Sequence, residues 1–171
     1  MENNNKPIVV KHQKIIEIIG FIVLALSLVI SIALIITKEM FSLQLFPFIF
    51  ALLGLFIIIC YNKEYLTINE NDIIYNKVVK EITYNVNDID MIVLSQNESP
   101  TISITFINKE NEKMFLLLST LSGIEEALEY FDSKEMLIIT AEDLIAEGNF
   151  EFLSCLPYAD RSYYKKIIKK L

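Results

Sequence analysis

Two long apolar runs occupy the first third of the chain. Residues 18–36 and 43–61 each contain nineteen residues without a charged side chain. At a rise of about 1.5 Å per residue, a helix of this length spans roughly 28 Å, close to the thickness of a bilayer's hydrocarbon core. Lipid tolerates only segments whose backbone hydrogen bonds are closed internally, and two segments are too few for a barrel. The pattern therefore predicts a membrane α-helical hairpin over residues 15–61, with transmembrane helices at about 16–36 and 43–61.

Lysine distribution predicts the orientation of this hairpin. The N-terminal arm, residues 1–14, carries three lysines and one acid, whereas the loop between the runs carries one lysine beside one glutamate. Lysine and arginine are retained on the cytoplasmic side, so we expect the arm to be inside. We therefore expect a multi-pass membrane protein with both termini cytoplasmic and only residues 37–42 outside. The charged residues after the first run argue against a signal peptide, which ends in a small-residue cleavage site.

Small side chains mark one face of each predicted span. Ser27 and Ser31 lie four residues apart in the first, and Ala51 and Gly54 lie three apart in the second. Small residues let membrane helices approach closely, so we expect these faces to pack against each other. The alternative is that they mediate oligomerisation.

After the second run the pattern changes to short alternating segments separated by Asn- and Asp-rich turns. Residues 64–118 contain six β-rich segments of four to seven residues, with the clearest period of two at residues 101–107. Residues 119–131 then follow a helical period, with Ser122 as the expected N-cap and Glu125 at the capping-box position. The pattern predicts a small, mainly antiparallel β domain over residues 62–132, closed by a helix.

The same residues carry a family resemblance. Residues 65–75 (YLTINENDIIY), 82–92 (ITYNVNDIDMI) and 102–117 (ISITFINKENEKMFLL), with two spans before them and a helix after, resemble small bacterial membrane proteins with a pleckstrin-homology-like (PH-like) domain. That family often has an aromatic residue, a short gap and Asp-Ile at the start of the fourth strand. Tyr84 and Asp88-Ile89 stand there, with a wider gap and Tyr where Trp is commoner. The resemblance implies a partly open barrel capped by a C-terminal helix, and it implies little about activity.

The remaining residues, 133–171, form a mixed and mainly helical tail with a basic amphipathic end. Residues 62–156 carry a net charge of −12, whereas residues 157–171 carry +4. The basic end has two alternative roles: it lies on the anionic inner leaflet, or it covers the acidic domain of its own chain. Its candidate membrane-surface residues are Arg161, Lys165, Lys166, Lys169 and Lys170.

The composition of the chain limits the partners and activities that we expect for it. Hydrophobic residues make up 53% of the chain, which is high for a soluble protein, and the two apolar runs account for most of this excess. The net charge of −7 argues against nucleic acid as a partner, and the mixed charges of the first turns make phosphoinositide binding unlikely in a PH-like body. One histidine, His12, four scattered glycines and two cysteines 95 positions apart form no nucleophile–base pair, phosphate loop or metal spacing. We expect no enzyme activity, cofactor or metal.

These observations predict a non-enzymatic integral inner-membrane protein that presents a cytosolic PH-like protein-interaction domain. Its partners would be the lipid bilayer and either another protein or a second copy, bound by backbone pairing at a sheet edge or by burial of an apolar strip. The alternative is a bacteriocin-type immunity protein acting from within the membrane. The candidate partner surface consists of Ile82, Tyr84, Val86, Ile102, Ile104 and Phe106.

Overall fold

The chain forms two compact units. The computed structural model describes residues 6–36 and 41–169, with the side chains of all of these except residues 41–44. Lys170 and most of the predicted outer loop, residues 37–40, lie outside the described residues. One unit holds Lys11–Tyr65 and Asn76–Glu81, and the other holds the remaining described residues.

Two helices of 23 residues each, α1 (Lys14–Ile36) and α2 (Phe41–Lys63), make up most of the first unit. They pack against each other. Both contain a span long and apolar enough to cross a membrane, and only 11% of the most apolar window of each is buried. The predicted pair of long apolar helices is therefore confirmed.

Within residues 6–36 and 41–169, eight strands form two four-stranded sheets, with the orders β1-β2-β3-β4 and β7-β6-β5-β8. β5 pairs antiparallel with β6 and parallel with β8, and β6 pairs antiparallel with β7. The apolar helices are thus followed by sheets of antiparallel and mixed strands, as predicted at that level of detail. The strands are β1 (Ile8–Lys11), β2 (Tyr65–Ile68), β3 (Asp72–Asn76), β4 (Glu81–Asn85), β5 (Ile89–Ser95), β6 (Ser103–Asn108), β7 (Lys113–Leu118) and β8 (Leu137–Thr140).

The first strand, β1, lies in the stretch predicted as a polar arm. It is the outer neighbour of β2, although the two helices separate them in the chain. Val10 on β1 is only 1% exposed and belongs to the first hydrophobic core. The N-terminal segment is therefore part of the β domain.

Stacked aromatic rings form the centre of the first core. Phe106 on β6 stacks on Phe115 of β7 with ring centroids 4.2 Å apart, and Phe131 meets Phe106 edge-on at 5.2 Å. Phe131 comes from the helix α3 (Ile124–Ser133), whose buried face also includes Ile124 and Ala127. The amphipathic helix predicted after the strands is present and covers this core.

The start of α3 differs from the predicted capping box. Gly123, not Ser122, occupies the N-cap position, and no side chain caps the helix. Gly123 has φ +81°, and a Cβ placed on it would lie 2.4 Å from the carbonyl oxygen of Val9. The backbone of β1 passes so close to the helix start that only a residue without a side chain fits there.

A second core lies on the other face of β5. Met91 and Val93 alternate with Ile92, so they point away from the first core. They pack with side chains from β6 and the C-terminal segment, namely Ile107, Ala141, Leu144, Phe152, Leu153, Cys155, Leu156 and Tyr164. The C-terminal segment contains α4 (Ala141–Ala146), a short 3-10 turn and α5 (Tyr158–Ile168). The stretch predicted as a tail thus supplies one strand and a packed layer of the β domain.

Candidate membrane hairpin and interaction surfaces

α1 and α2 approach each other closely at two glycines. A Cβ placed on Gly54 would lie 2.9 Å from both the carbonyl oxygen of Gly20 and the backbone nitrogen of Leu24. A Cβ on Gly20 would lie 3.2 Å from the carbonyl oxygen of Gly54. The two helices therefore touch backbone to backbone, as small residues allow in membranes. Gly54 belongs to the predicted packing set, whereas Gly20 does not, although it is the one glycine of the first apolar run.

The other residues of the predicted packing set differ in how far they are buried. Ser27 is 3% exposed, whereas Ser31 and Ala51 are half-buried. The Ser27 hydroxyl donates to the carbonyl oxygen of Val23 at 2.6 Å, and the Ser31 hydroxyl donates to that of Ser27 at 2.8 Å. Because both hydroxyls are satisfied within their own helix, neither places an unpaired polar group in an apolar environment.

Three residues of the predicted partner surface are core residues. Val86, Ile104 and Phe106 are 3%, 1% and 0% exposed. The prediction was wrong for them because all three pack in the first hydrophobic core, where the apolar face of β6 meets Phe115 and Phe131. Five of the six β6 residues are buried, since β6 has a core on each face.

The other three residues of that surface, Ile82, Tyr84 and Ile102, are half-buried, and Tyr84 and Ile102 pack against the first core. The Tyr84 hydroxyl donates to the carbonyl oxygen of Met114 at 3.0 Å, and its ring lies 5.1 Å from that of Phe115. Burial raises the pKa of this phenol. Tyr84 thus joins β4 to β7, and the six residues do not form one continuous exposed surface.

The basic helix α5 uses its apolar face within its own chain. Tyr164 is fully buried, and Ile167 and Ile168 pack against the second core. Of its cations, Arg161 is half-buried and donates to the carbonyl oxygens of Ser154 and Leu156 at 2.6 and 3.0 Å. Lys165, Lys166 and Lys169 lie on its outer side. Of the two alternatives for this helix, the contacts favour packing on its own domain, because its apolar face is already used there.

A buried carboxylate whose partners the sequence did not reveal anchors α5. Asp160 is 1% exposed and accepts hydrogen bonds from the Ser95 hydroxyl at 2.7 Å and the Asn97 amide at 2.6 Å. Ser95 and Asn97 lie at and just after the end of β5. Both carboxylate oxygens have a donor, which offsets part of the cost of burying the charge. No local sequence pattern predicts this cluster, because Asp160 lies more than 60 residues from each of its two partners.

Tyr164 makes a second polar attachment beside it. Its hydroxyl lies 2.7 Å from a Glu142 carboxylate oxygen and 3.0 Å from the Gln96 carbonyl oxygen, and it accepts the Gln96 N–H at 3.2 Å. Burial raises the pKa of Tyr164 well above its ordinary value. The Gln96 hydrogen bond opposes that shift, and the Glu142 carboxylate adds to it. The arrangement holds the phenol protonated and positions α5 on the sheet.

Within residues 6–36 and 41–169, no group of three His, Cys, Asp or Glu side chains is placed to hold a metal ion. His12 lies with its Nε2 3.6 Å from a Glu64 carboxylate oxygen. Cys155 is buried, and its thiol donates to the Asn111 carbonyl oxygen at 3.1 Å. These groups have structural partners, and their contacts do not form a nucleophile–base pair. No protein-family model, curated protein or solved structure matches the chain, so the PH-like resemblance stays a prediction.

Proposed function

We propose that this chain is a non-enzymatic integral protein of the bacterial inner membrane that holds a PH-like interaction domain on the cytoplasmic side. α1 and α2 are the membrane anchor, and the β domain is the part that meets a protein partner or a second copy. The lysines of the N-terminal arm support this orientation.

The pairing of β1 with β2 carries the proposal. β1 precedes α1 and β2 follows α2, yet the two are neighbours in one sheet. A single crossing would leave them on opposite sides of a bilayer and separate the sheet. Two crossings return the chain to the side from which it left. The β domain therefore requires an even number of spans, and α1 with α2 supplies two.

Exposed apolar surface on both helices supports a lipid environment. Phe46, Phe48 and Phe56 are 64%, 58% and 58% exposed, and most of the Ile and Leu residues around them are also exposed. Soluble monomers rarely leave continuous apolar patches of more than a few hundred Å² in water. A bilayer removes this penalty, since the helical backbone is already hydrogen-bonded.

Cysteine labelling in spheroplasts tests the topology. In full-length protein with Cys60→Ser and Cys155→Ser, single cysteines are introduced at Lys6, Lys38 or Glu110. A membrane-impermeant maleimide should label Lys38→Cys on intact spheroplasts, and Lys6→Cys and Glu110→Cys only after permeabilisation. The proposal would be overturned if one of Lys6→Cys and Glu110→Cys were labelled on intact spheroplasts and the other were not. Recovery of the protein in the soluble fraction would also overturn it.

The outer strand β8 is where the interaction role is tested. β8 pairs with β5 and ends the second sheet, and Leu137 on it is 52% exposed. A sheet edge offers its backbone groups to an added strand. A photo-cross-linking residue at Leu137 should give one discrete adduct with a protein chain in membranes. The same residue at Phe150, 46% exposed but outside the strands, should not. Equal adduct patterns at both positions would contradict an edge interaction.

A further inference from the structure

The turn between β3 and β4 has an apolar tip. Residues 77–80, Lys-Val-Val-Lys, are closed by a hydrogen bond from the Lys77 N–H to the Lys80 carbonyl oxygen at 2.8 Å. Val79 is 95% exposed, more than any other large hydrophobic side chain in the described part of the chain. Turns usually carry Gly, Asn, Asp, Ser or Pro, so two adjacent valines here are not explained by turn chemistry.

The turn belongs to the unit of the two long helices. Asn76–Glu81 groups with Lys11–Tyr65, whereas the rest of β3 and β4 groups with the other unit. Under the proposed function, on which this inference rests, the main solvent of that unit is lipid. Under that proposal, an exposed valine in this unit has the apolar interior of the bilayer close to it.

The charged residues of the turn indicate which kind of surface the turn contacts. Val78 and Val79 stand between Lys77 and Lys80, and Glu81 follows them, so that residues 77–81 keep a net charge of +1. A lysine side chain keeps its ammonium group at the polar level while its stem follows apolar groups into the interface. Two lysines flanking two valines therefore match a bilayer surface with anionic headgroups above and acyl chains below.

We propose that residues 77–80 form a membrane-docking turn. Val79 inserts into the interfacial region of the leaflet, and Lys77 and Lys80 bind anionic lipid headgroups. The turn is a third membrane contact in addition to α1 and α2.

Tryptophan fluorescence tests this docking directly, because the chain contains no tryptophan. Full-length Val79→Trp is reconstituted into vesicles of phosphatidylglycerol and brominated phosphatidylcholine. The expected result is quenching by the brominated lipid and protection from aqueous iodide. Free N-acetyltryptophanamide in the same suspension gives the fully exposed reference. Since Val79 is 95% exposed, the larger ring requires no repacking, and the far-UV circular dichroism should match that of the parent chain.

A matched variant separates this inference from the proposed function. Phe56→Trp reports on α2, where Phe56 is 58% exposed. Quenching of both variants supports docking. Quenching of Phe56→Trp alone overturns the docking turn and leaves the membrane anchor standing. Absence of quenching in both overturns the anchor and the turn together. Iodide protection of Val79→Trp without lipid quenching means that protein covers the turn, which also overturns the inference.

The lysines are tested by changing the lipid and the charge. Replacing phosphatidylglycerol by a zwitterionic lipid should lower the docked-to-undocked ratio of Val79→Trp about fivefold for each lysine engaged. Adding Lys77→Gln and Lys80→Gln in anionic vesicles should lower it by a similar factor, and raised salt should act in the same direction. The control pair Lys165→Gln and Lys166→Gln on α5 should leave the ratio unchanged. Quenching that is indifferent to lipid charge and to both substitutions at the turn would overturn the headgroup contact.

Discussion

The two glycines of the β domain with positive φ differ in what surrounds them. Gly123 has φ +81° and faces the Val9 carbonyl oxygen, whereas Gly148 has φ +78° and no atom within 4 Å of the point where a Cβ would lie. Gly148→Ala therefore adds only the cost of a left-handed conformation, roughly 1–2 kcal/mol. Gly123→Ala adds that cost and a collision with the backbone of β1. We expect Gly123→Ala to lower the thermal midpoint in detergent clearly more than Gly148→Ala, and equal shifts would contradict the close approach.

Tyr164 makes stability depend on alkaline pH. Its pKa in the folded chain is raised above the ordinary value of about 10, mainly by burial. The unfolded chain ionises first as the pH rises, so the stability present below about pH 10 is lost progressively above it. Tyr164→Phe should cost roughly 1 kcal/mol near neutral pH through its lost hydrogen bonds, and it should make the decline above pH 10 shallower.

Unfolding of the full chain measured from pH 8 to 11 checks this dependence. Tyr158→Phe is the matched control, because Tyr158 is 85% exposed. A residual decline is expected in Tyr164→Phe, since burial also raises the pKa of Tyr84 and Tyr130. Parallel curves for the parent chain and Tyr164→Phe would contradict the assigned role.

At the scale of elements, the crossing of α1 and α2 depends on backbone contact at Gly54. Because a Cβ there meets backbone atoms at 2.9 Å, the helices must separate to accept it. We expect Gly54→Leu to destabilise the helix pair by roughly 1–3 kcal/mol, as overpacking does in cores. Ala25→Leu on the exposed side of α1 should be nearly neutral. Thermal midpoints in detergent compare the two, and similar values would mean that the glycine contact is dispensable.

β1 is short, but its two central residues face opposite sides. Val10 is 1% exposed in the first core, whereas Val9 is 43% exposed. Val10→Asp buries an unpaired carboxylate and should abolish the cooperative unfolding of the β domain. Val9→Asp should change stability by less than about 1 kcal/mol. Limited proteolysis of both variants in membranes distinguishes them, and equal resistance would contradict the placement of β1 in the core.

How far the sequence predicts each element depends on whether its signal is local. The long helices were predictable because their apolar runs fit the thickness of a bilayer by themselves. β1 was not, since four residues in a lysine-rich arm reveal their role only beside β2, which lies more than 50 residues later. β6 was recognised as a strand but assigned the wrong exposure, because the residues that bury its apolar face, among them Phe115 and Phe131, come from later elements of the chain. The Asp160 cluster was missed for the same reason.

At the scale of the whole molecule, the helical hairpin is an insertion between two neighbouring strands. The side chains that flank it, His12 after β1 and Glu64 before β2, approach within 3.6 Å. A short connection can therefore replace everything between them. The two hydrophobic cores contain no residue of α1 or α2 among the described residues. The β domain thus has its own core.

This arrangement predicts a water-soluble β domain. Replacing residues 14–63 by a short Gly/Ser linker should give a soluble chain with a β-rich circular dichroism spectrum and cooperative unfolding, because β1 still reaches its place beside β2. The matched fragment 65–171 lacks β1 and exposes the site of Val10, so it should unfold non-cooperatively or aggregate. If the linked chain is as insoluble as the fragment, the hairpin is required for folding and is more than an anchor. If the fragment folds as well as the linked chain, β1 is dispensable, and the requirement that both ends of the hairpin lie on one side of the membrane loses its structural basis.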